Sequence, residues 1–418
     1  MRHWSMIIGV LLVICLDNNA QNFRIDVDEI EDGEVVQQPD STEPYPFLHR
    51  DANHIMLNGS QWDDMARRFA NSNVDNFSIV HIGDSHIQPD MATGVVRRGI
   101  QRVMGNAGRG LIVPYKLAST NEPRDYRITL DCKSSGNRLM KSPWTMPMGF
   151  TGISVQPDAE EFNLTIESLD EDSNPFCFVR IYCQGMLEVS QAKGSTGWVP
   201  FSVDTQAEDG YCDVFLGERV ERIELLIRKA RSLTMNGIML GNEKPGVFYH
   251  TIGNNGAAYC NYVALENFGE RLSTLYPDLV VISMGTNEAY NKMDPIDFYN
   301  DVDRLVNIII ASNPDTKVLL TTPKECQRRK GKGKRRTYSK VENCRELRDV
   351  ILEYGRTHNV AVYDWFDVTG GDGASDSWVK AGLLGGDRVH NTVAGYELFG
   401  ALFAQALLEA LGGGDVLN

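Results

Sequence analysis

Apolar residues fall into two different rhythms along this chain. From about residue 245 onward, short unbroken apolar runs alternate with longer segments of helical spacing. The runs "DLVVISMG" (278–285), "TKVLLTT" (316–322) and "NVAVYDW" (359–365) are continuously apolar, as expected of parallel strands covered on both faces. Between them, 257–275, 295–312 and 338–357 carry helical patterning, and a last helix is expected from Thr392 to Leu411 with Asn391 as its N-cap. One more such run, Phe77 to Gly83, stands far upstream, between a helix expected over Ser60 to Ala70 and another within "PDMATGVVRRGIQRVM". This alternation predicts an α/β fold, a three-layer α/β/α sandwich around a doubly wound parallel sheet.

Residues 125–245 follow the other rhythm. "EFNLTIES", "CFVRIYC", "WVPFSV", "YCDVFLG" and "RIELLIR" are short strand-like pieces separated by Gly, Ser and Asp turns. Closely spaced strands of this kind read as an inserted β-sandwich, large enough to fold alone. The α/β domain is then split over 49–124 and 246–418.

The N-terminus reads differently again. Arg2 and His3 precede an apolar run from Met6 to Leu16, followed by Asp17-Asn18-Asn19 and the small residue Ala20. The run is short for a bilayer span and sits where a cleavable export signal belongs, so residues 1–20 are expected to be a signal peptide. Cys15 would suit lipid attachment, but Ile14 before it is bulkier than that processing usually accepts. The acidic, proline-broken stretch 21–48 is expected to be a flexible tether, which places the protein in the periplasm or at the cell surface.

A net charge of −15 leaves no global basic footprint for nucleic acid. Beyond Cys15 the chain has seven cysteines, with no zinc-like spacing; mostly buried thiols with one disulfide at most is the simplest expectation. No metal or cofactor is called for.

The chemistry concentrates at the strand ends. "IVHIGDSHIQPD" stops a buried strand on Gly83 and presents Asp84-Ser85-His86 at the sheet edge where open α/β folds bind ligands. A serine hydroxyl becomes a useful nucleophile only when a base takes its proton, usually a histidine oriented by a carboxylate. "GGDRVHNTVAGY" supplies both: Asp387 and His390 are three apart, so a tight turn aligns them. Acyl transfer also needs donors for the developing oxyanion, each worth about 10²–10³ in rate. Ser85 N–H, Gly253 N–H in "HTIGNNGA" and the Asn287 amide in "SMGTNEAY" are the candidates. Asp84 is expected to brace the turn, while His86 and Glu288 are weaker candidates for substrate contact.

Gly83-Asp84-Ser85, the isolated Gly253, Gly285-Thr286-Asn287 and Asp387-x-x-His390, in this order, resemble the four blocks of the SGNH (GDSL-type) hydrolases. The resemblance covers roughly 75–115 and 245–412 and implies a flavodoxin-like α/β/α domain. It also implies Ser85 as nucleophile, His390 as base, Asp387 as orienting acid, and Gly253 and Asn287 as oxyanion donors. "GDSH", "GNAGRGLIVPY", the β insertion and "GTNEAY" are together similar to the peptidoglycan O-acetylesterases, which carry an inserted carbohydrate-binding-like module. That similarity implies an acetylated glycan, foremost peptidoglycan N-acetylmuramic acid, as substrate. Deacetylation of another polysaccharide, a broad carboxylesterase, and a glycan-binding protein with an inactive hydrolase domain are the alternatives.

One segment stands apart from that pattern. "KECQRRKGKGKRRTYSK" (324–340) is intensely basic in an acidic chain and leaves the sheet at the edge that carries the chemistry. It reads either as a solvated loop or as an attractor for an anionic glycan. Cys326 and Cys344 bracket it and are placed to staple it.

Overall fold

The computed structural model describes residues 45–170, 173–206, 210–229, 233–331 and 337–412. The expected signal peptide, and the tether as far as residue 44, lie outside the described residues. The tether's last residues already belong to the fold, since Leu48 is buried and the Phe47 ring lies 6.2 Å from that of Trp378.

In chain order the first elements are β1 (Ile55–Met56), α1 (Asp63–Ala70), β2 (Phe77–Gly83), α2 (Met91–Met104) and β3 (Gly110–Ile112). The insertion follows as β4 (Tyr126–Leu130), β5 (Ser134–Arg138), β6 (Ile153–Pro157), β7 (Glu161–Ser168), β8 (Phe176–Gln184), β9 (Leu187–Gly194), β10 (Phe201–Gln206), β11 (Tyr211–Val220), β12 (Arg222–Lys229) and β13 (Thr234–Gly241). The alternating part resumes with β14 (Val247–Gly253), α3 (Tyr259–Val263), α4 (Phe268–Ser273), β15 (Leu279–Ser283), α5 (Thr286–Tyr290), α6 (Pro295–Ser312) and β16 (Lys317–Thr321). Then come β17 (Gln327–Lys330), β18 (Thr337–Lys340), α7 (Asn343–His358), β19 (Ala361–Tyr363), α8 (Trp365–Val368), α9 (Ala374–Lys380) and α10 (Val393–Gly412).

The main sheet has the order β1-β19-β16-β15-β2-β14, parallel except for the edge strand β1. Side chains alternate between its two faces, which divides the core into two layers. Phe77, Ile79, Val281, Leu319 and Tyr363 pack with residues of α1, α2 and α10. Val80, Ile82, Val280, Ile282 and Leu320 pack on the other face with residues of α4, α6 and α7. This is the three-layer arrangement that the continuous apolar runs predict.

The insertion forms two antiparallel sheets. One holds β10-β11-β8-β13-β6-β5 with β3 joined to β13, and the other is β4-β7-β12-β9. The boundary at residue 125 is not a clean seam, because β3 precedes it and pairs with β13. Nor does the charge network respect it. Arg97 of α2 and Arg109, both buried, each bind Asp90 and Asp125, and three of these contacts measure 2.7–2.8 Å. Charges taken out of water must be paired, and here each partner satisfies two.

Three local expectations are revised. Residues 337–340 form β18, paired with β17, so the helix expected over 338–357 starts only at Asn343. The segment 257–275 holds two short helices rather than one, with Asn267 in the left-handed region at their junction. The last helix is capped by Thr392, whose Oγ1 accepts the Gly395 N–H at 3.2 Å, not by Asn391.

Candidate active site

The central strands end abreast. Gly253 and Ser283 both lie opposite Gly83, and Thr321 lies opposite Ser283. Residues a few positions beyond these ends therefore meet on one rim. Gly83 is required there: a Cβ would stand 2.7 Å from Ser283 O and 2.3 Å from the Ile87 side chain. The chain then turns sharply, with the N–H groups of Ile87 and Gln88 donating to Asp84 O at 3.2 and 3.0 Å. Asp84 Oδ1 accepts the His86 N–H at 2.9 Å, the bracing role expected of it.

On the far side of the rim, the stretch before α10 closes on itself. Gly385 N–H donates to His390 O at 2.7 Å, and Asp387 Oδ1 accepts the N–H groups of Val389 and His390, each at 3.0 Å. The other carboxylate oxygen, Oδ2, lies 2.6 Å from His390 Nδ1. His390 Nε2 lies 2.8 Å from Ser85 Oγ. Asp387 as acceptor fixes the ring proton on Nδ1, which leaves the Nε2 lone pair for the serine hydroxyl. Burial pushes the Asp387 carboxyl up, but hydrogen bonds from the His390 ring and the two backbone N–H groups outweigh it and hold the group below its ordinary range. Asp387 is thus kept anionic beside the imidazole.

The expected oxyanion donors fare unequally. Asn287, in the first turn of α5, donates through Nδ2 to Ala257 O at 3.0 Å and to Asp84 Oδ2 at 3.1 Å. It is therefore held at the rim between the serine turn and the loop after β14. Gly253 is a correction. Its N–H is spent on the Tyr115 hydroxyl at 3.1 Å, which in turn donates to Gly253 O at 2.7 Å. A Cβ on Gly253 would meet Gln88 N at 2.2 Å, so this glycine lets β14 pack against the serine turn. Gly256, half-buried at φ +83° in the loop beyond β14, has its N–H free instead among the described residues. It is tethered on both sides, by Asn255 N–H to Gln88 Oε1 at 2.8 Å and by Ala257 O to Asn287. Among the described residues the N–H groups of Ser85 and Gly256 have no hydrogen-bond acceptor.

The two candidates for substrate contact point elsewhere. The His86 ring is turned toward α10, with Nδ1 2.9 Å from the Tyr396 hydroxyl and Nε2 shut from solvent. Burial, then the neighbouring Lys324 and His390, lowers its pKa well below the usual imidazole value, so it stays neutral. Together with Lys324, Trp365 and Phe399 it lines a cavity of about 40 Å³ beneath the serine turn. Glu288 is buried and accepts the Tyr259 N–H at 2.9 Å, which anchors the start of α3. Burial raises its pKa to about 7 and that of Asp84 to about 6. Both acids support the rim from below rather than facing solvent. Tyr115 is the site neighbour that sequence reasoning did not single out, while Gly256 stood there only as the glycine close behind Gly253. Among the described residues no group of three or more His, Cys, Asp or Glu side chains is gathered to hold a metal ion.

Residues 238–398 match the GDSL-like Lipase/Acylhydrolase family. The matched span contains Gly253, Asn287, Asp387 and His390, whereas Ser85 lies before it, on the other side of the insertion. None of the curated proteins compared matches the chain in sequence. Among solved structures, a peptidoglycan O-acetylesterase superposes with a TM-score of 0.69 at 21% identity, over 85% of this chain and 97% of that chain. A lipase/acylhydrolase from Enterococcus faecalis (TM-score 0.30, 25% identity) covers 40% of this chain and 77% of its own. The acetyl xylan esterase AlAXEase (TM-score 0.32, 17% identity) covers 38% and 81%. The chain thus has the SGNH (GDSL-type) hydrolase fold with a β-rich insertion, and it carries a GDSL-like lipase/acylhydrolase domain.

Proposed function

We propose that this protein is an exported serine esterase that removes O-acetyl groups from a glycan, with peptidoglycan N-acetylmuramic acid as the substrate sugar. The observation that carries the chemistry is the chain of contacts Ser85 Oγ–His390 Nε2 at 2.8 Å and His390 Nδ1–Asp387 Oδ2 at 2.6 Å. His390 takes the Ser85 proton as Oγ attacks the acetyl carbonyl carbon. The carbonyl oxygen becomes an oxyanion, met by the N–H groups of Ser85 and Gly256, and the Asn287 amide joins them by exchanging its bond to Asp84 for one to the oxyanion. The intermediate collapses, and the proton on His390 passes to the departing sugar oxygen, leaving acetyl-Ser85. Water, deprotonated by the same imidazole, then releases acetate.

The reading of the substrate is supported by the whole-chain likeness, insertion included, to a peptidoglycan O-acetylesterase. Export is supported by the Arg2-His3 start and the apolar run after it. The test is acetate release from O-acetylated peptidoglycan beside acetylated xylan, with Ser85→Ala as control. Release from peptidoglycan by the native protein alone is the expected outcome. Release only from xylan would move the substrate to another polysaccharide. No serine-dependent release from either, or from an aryl acetate, would remove the esterase reading.

A further inference from the structure

The described parts of the basic run form a strand pair beside the loop that carries the candidate base. β17 and β18 pair from Gln327↔Lys340 to Lys330↔Thr337. The hairpin leans on the loop that carries Asp387 and His390: Gln327 N–H donates to Arg388 O at 3.0 Å, and the Tyr338 hydroxyl donates to Gly386 O at 2.9 Å. Its other flank reaches α5, where the Arg328 guanidinium lies 4.3 Å from the centre of the Tyr290 ring, three residues beyond Asn287. One short hairpin therefore touches both the base loop and the helix of the oxyanion amide.

Among the described residues, the cations in and around the strand pair fall into two sets. Lys340 pairs with Asp372 and Glu342, Arg345 with Asp372, and Arg388 with Asp376. Lys324 is buried, so it adds nothing to the surface. By contrast, Arg328, Arg329 and Lys330 have no carboxylate within ion-pair distance among the described residues, and Arg329 and Lys330 are exposed. In a chain of net charge −15, a cluster of uncompensated cations is placed against the general electrostatic trend. Such a cluster raises the local concentration of anions over roughly a Debye length, about 8 Å at physiological salt.

We infer that the β17–β18 hairpin is a docking rim for carboxylates on the glycan polymer, seating the chain so that an acetyl ester reaches Ser85. The inference rests on the esterase reading above and adds a polyanionic character to its substrate. The rim's contacts with the His390 loop and with Tyr290 favour a partner that is also hydrolysed there. A membrane surface or a nucleic acid would have no reason to meet the chain at that point.

The test compares Arg329→Glu/Lys330→Glu with the native enzyme on three substrates: O-acetylated peptidoglycan, the same polymer with its carboxylates amidated, and a neutral aryl acetate. The expected result is a KM about tenfold higher for the unmodified polymer, with kcat/KM on the aryl acetate unchanged. Amidation should remove the difference between the two proteins, and added salt should weaken the native enzyme's advantage. Equal effects on polymer and aryl acetate, or no effect on the polymer, would overturn the inference while leaving the esterase reading intact. If the variant protein instead lost binding to anionic vesicles or to nucleic acid, with its glycan kinetics unchanged, the inference would be overturned as well. A native enzyme that cleaves none of the three would remove the esterase reading first.

Discussion

Ser85 Oγ lies 2.8 Å from His390 Nε2, although 305 residues of chain separate the two. Only the sheet brings them together, since one follows β2 directly and the other stands just ahead of α10. Replacing Ser85 by Ala removes a single half-buried hydroxyl, so the unfolding temperature should be unchanged while kcat falls on the order of 10⁴-fold or more. Asp387→Asn keeps the shape but no longer fixes the ring proton on Nδ1, and a loss of about 10²–10⁴-fold in kcat is expected. Ordinary turnover of an aryl acetate by purified Ser85→Ala would dismiss the nucleophile.

The two glycines after Ile252 should respond differently to alanine. At Gly253 the new methyl would press on Gln88 N at 2.2 Å and displace the serine turn. Overpacking of this kind costs about 1–3 kcal/mol, so Gly253→Ala should lose both stability and activity. At Gly256 the nearest atom is Met140 Cγ at 3.9 Å, and the only penalty is the positive φ, about 1 kcal/mol. Gly256→Ala should fold, with its defect appearing in kcat. Thermal melts and steady-state kinetics on the pair separate the packing role from the oxyanion role.

Glu288 predicts a pH signature in stability. Burial raises its pKa from 4.5 to about 7, so the native state holds the proton more tightly than the unfolded chain does. That advantage is present in full below pH 4.5 and is lost as pH rises through about 7. Glu288→Gln mimics the protonated acid and can still accept the Tyr259 N–H. Relative to this variant, the native protein should lose on the order of 3 kcal/mol of stability across that interval. Parallel denaturation curves at pH 4.5 and pH 8, with an unchanging gap between the two proteins, would contradict it.

Cys326 and Cys344, both buried, have sulfurs 3.5 Å apart at the root of the basic hairpin. The hydrogen bond to Cys344 holds the Cys326 thiol below its ordinary range, so Cys326 is the sulfur that attacks a disulfide reagent once local opening admits it. Treatment with oxidised glutathione should join the two cysteines, with loss of one hydrogen from each and formation of two equivalents of reduced glutathione. Non-reducing peptide mapping should find the bond between Cys326 and Cys344, and stability should rise by up to about 3 kcal/mol. A map showing both thiols free after oxidation and unfolding would exclude the pairing.

The parallel strands and the Ser85–His390–Asp387 convergence were legible in the sequence for physical reasons. Strands covered on both faces must be continuously apolar, and an acid three residues before a base in one tight turn is a local pattern. Gly253 and Gly256 were not separable that way. One ends β14 and the other lies three residues beyond it, and what distinguishes them is the bond that the Gly253 N–H donates to the Tyr115 hydroxyl, 138 residues away along the chain. Glu288 read equally as a substrate contact or as a structural hydrogen bond, because nothing in "GTNEAY" announces that its side chain turns under α3 to hold the Tyr259 N–H. The strand Thr337–Lys340 was absorbed into a helical pattern since its reason for being extended is its partner β17, not its own residues.

The ladder between β3 and β13 and the Asp90–Arg97–Arg109–Asp125 quartet also bear on how this molecule unfolds. Excising residues 125–245 would bare one edge of β3 and leave two buried guanidinium groups sharing the single Asp90 carboxylate. The extra sheets thus share a ladder and a charge quartet with their host, and the two parts are expected to melt in one step.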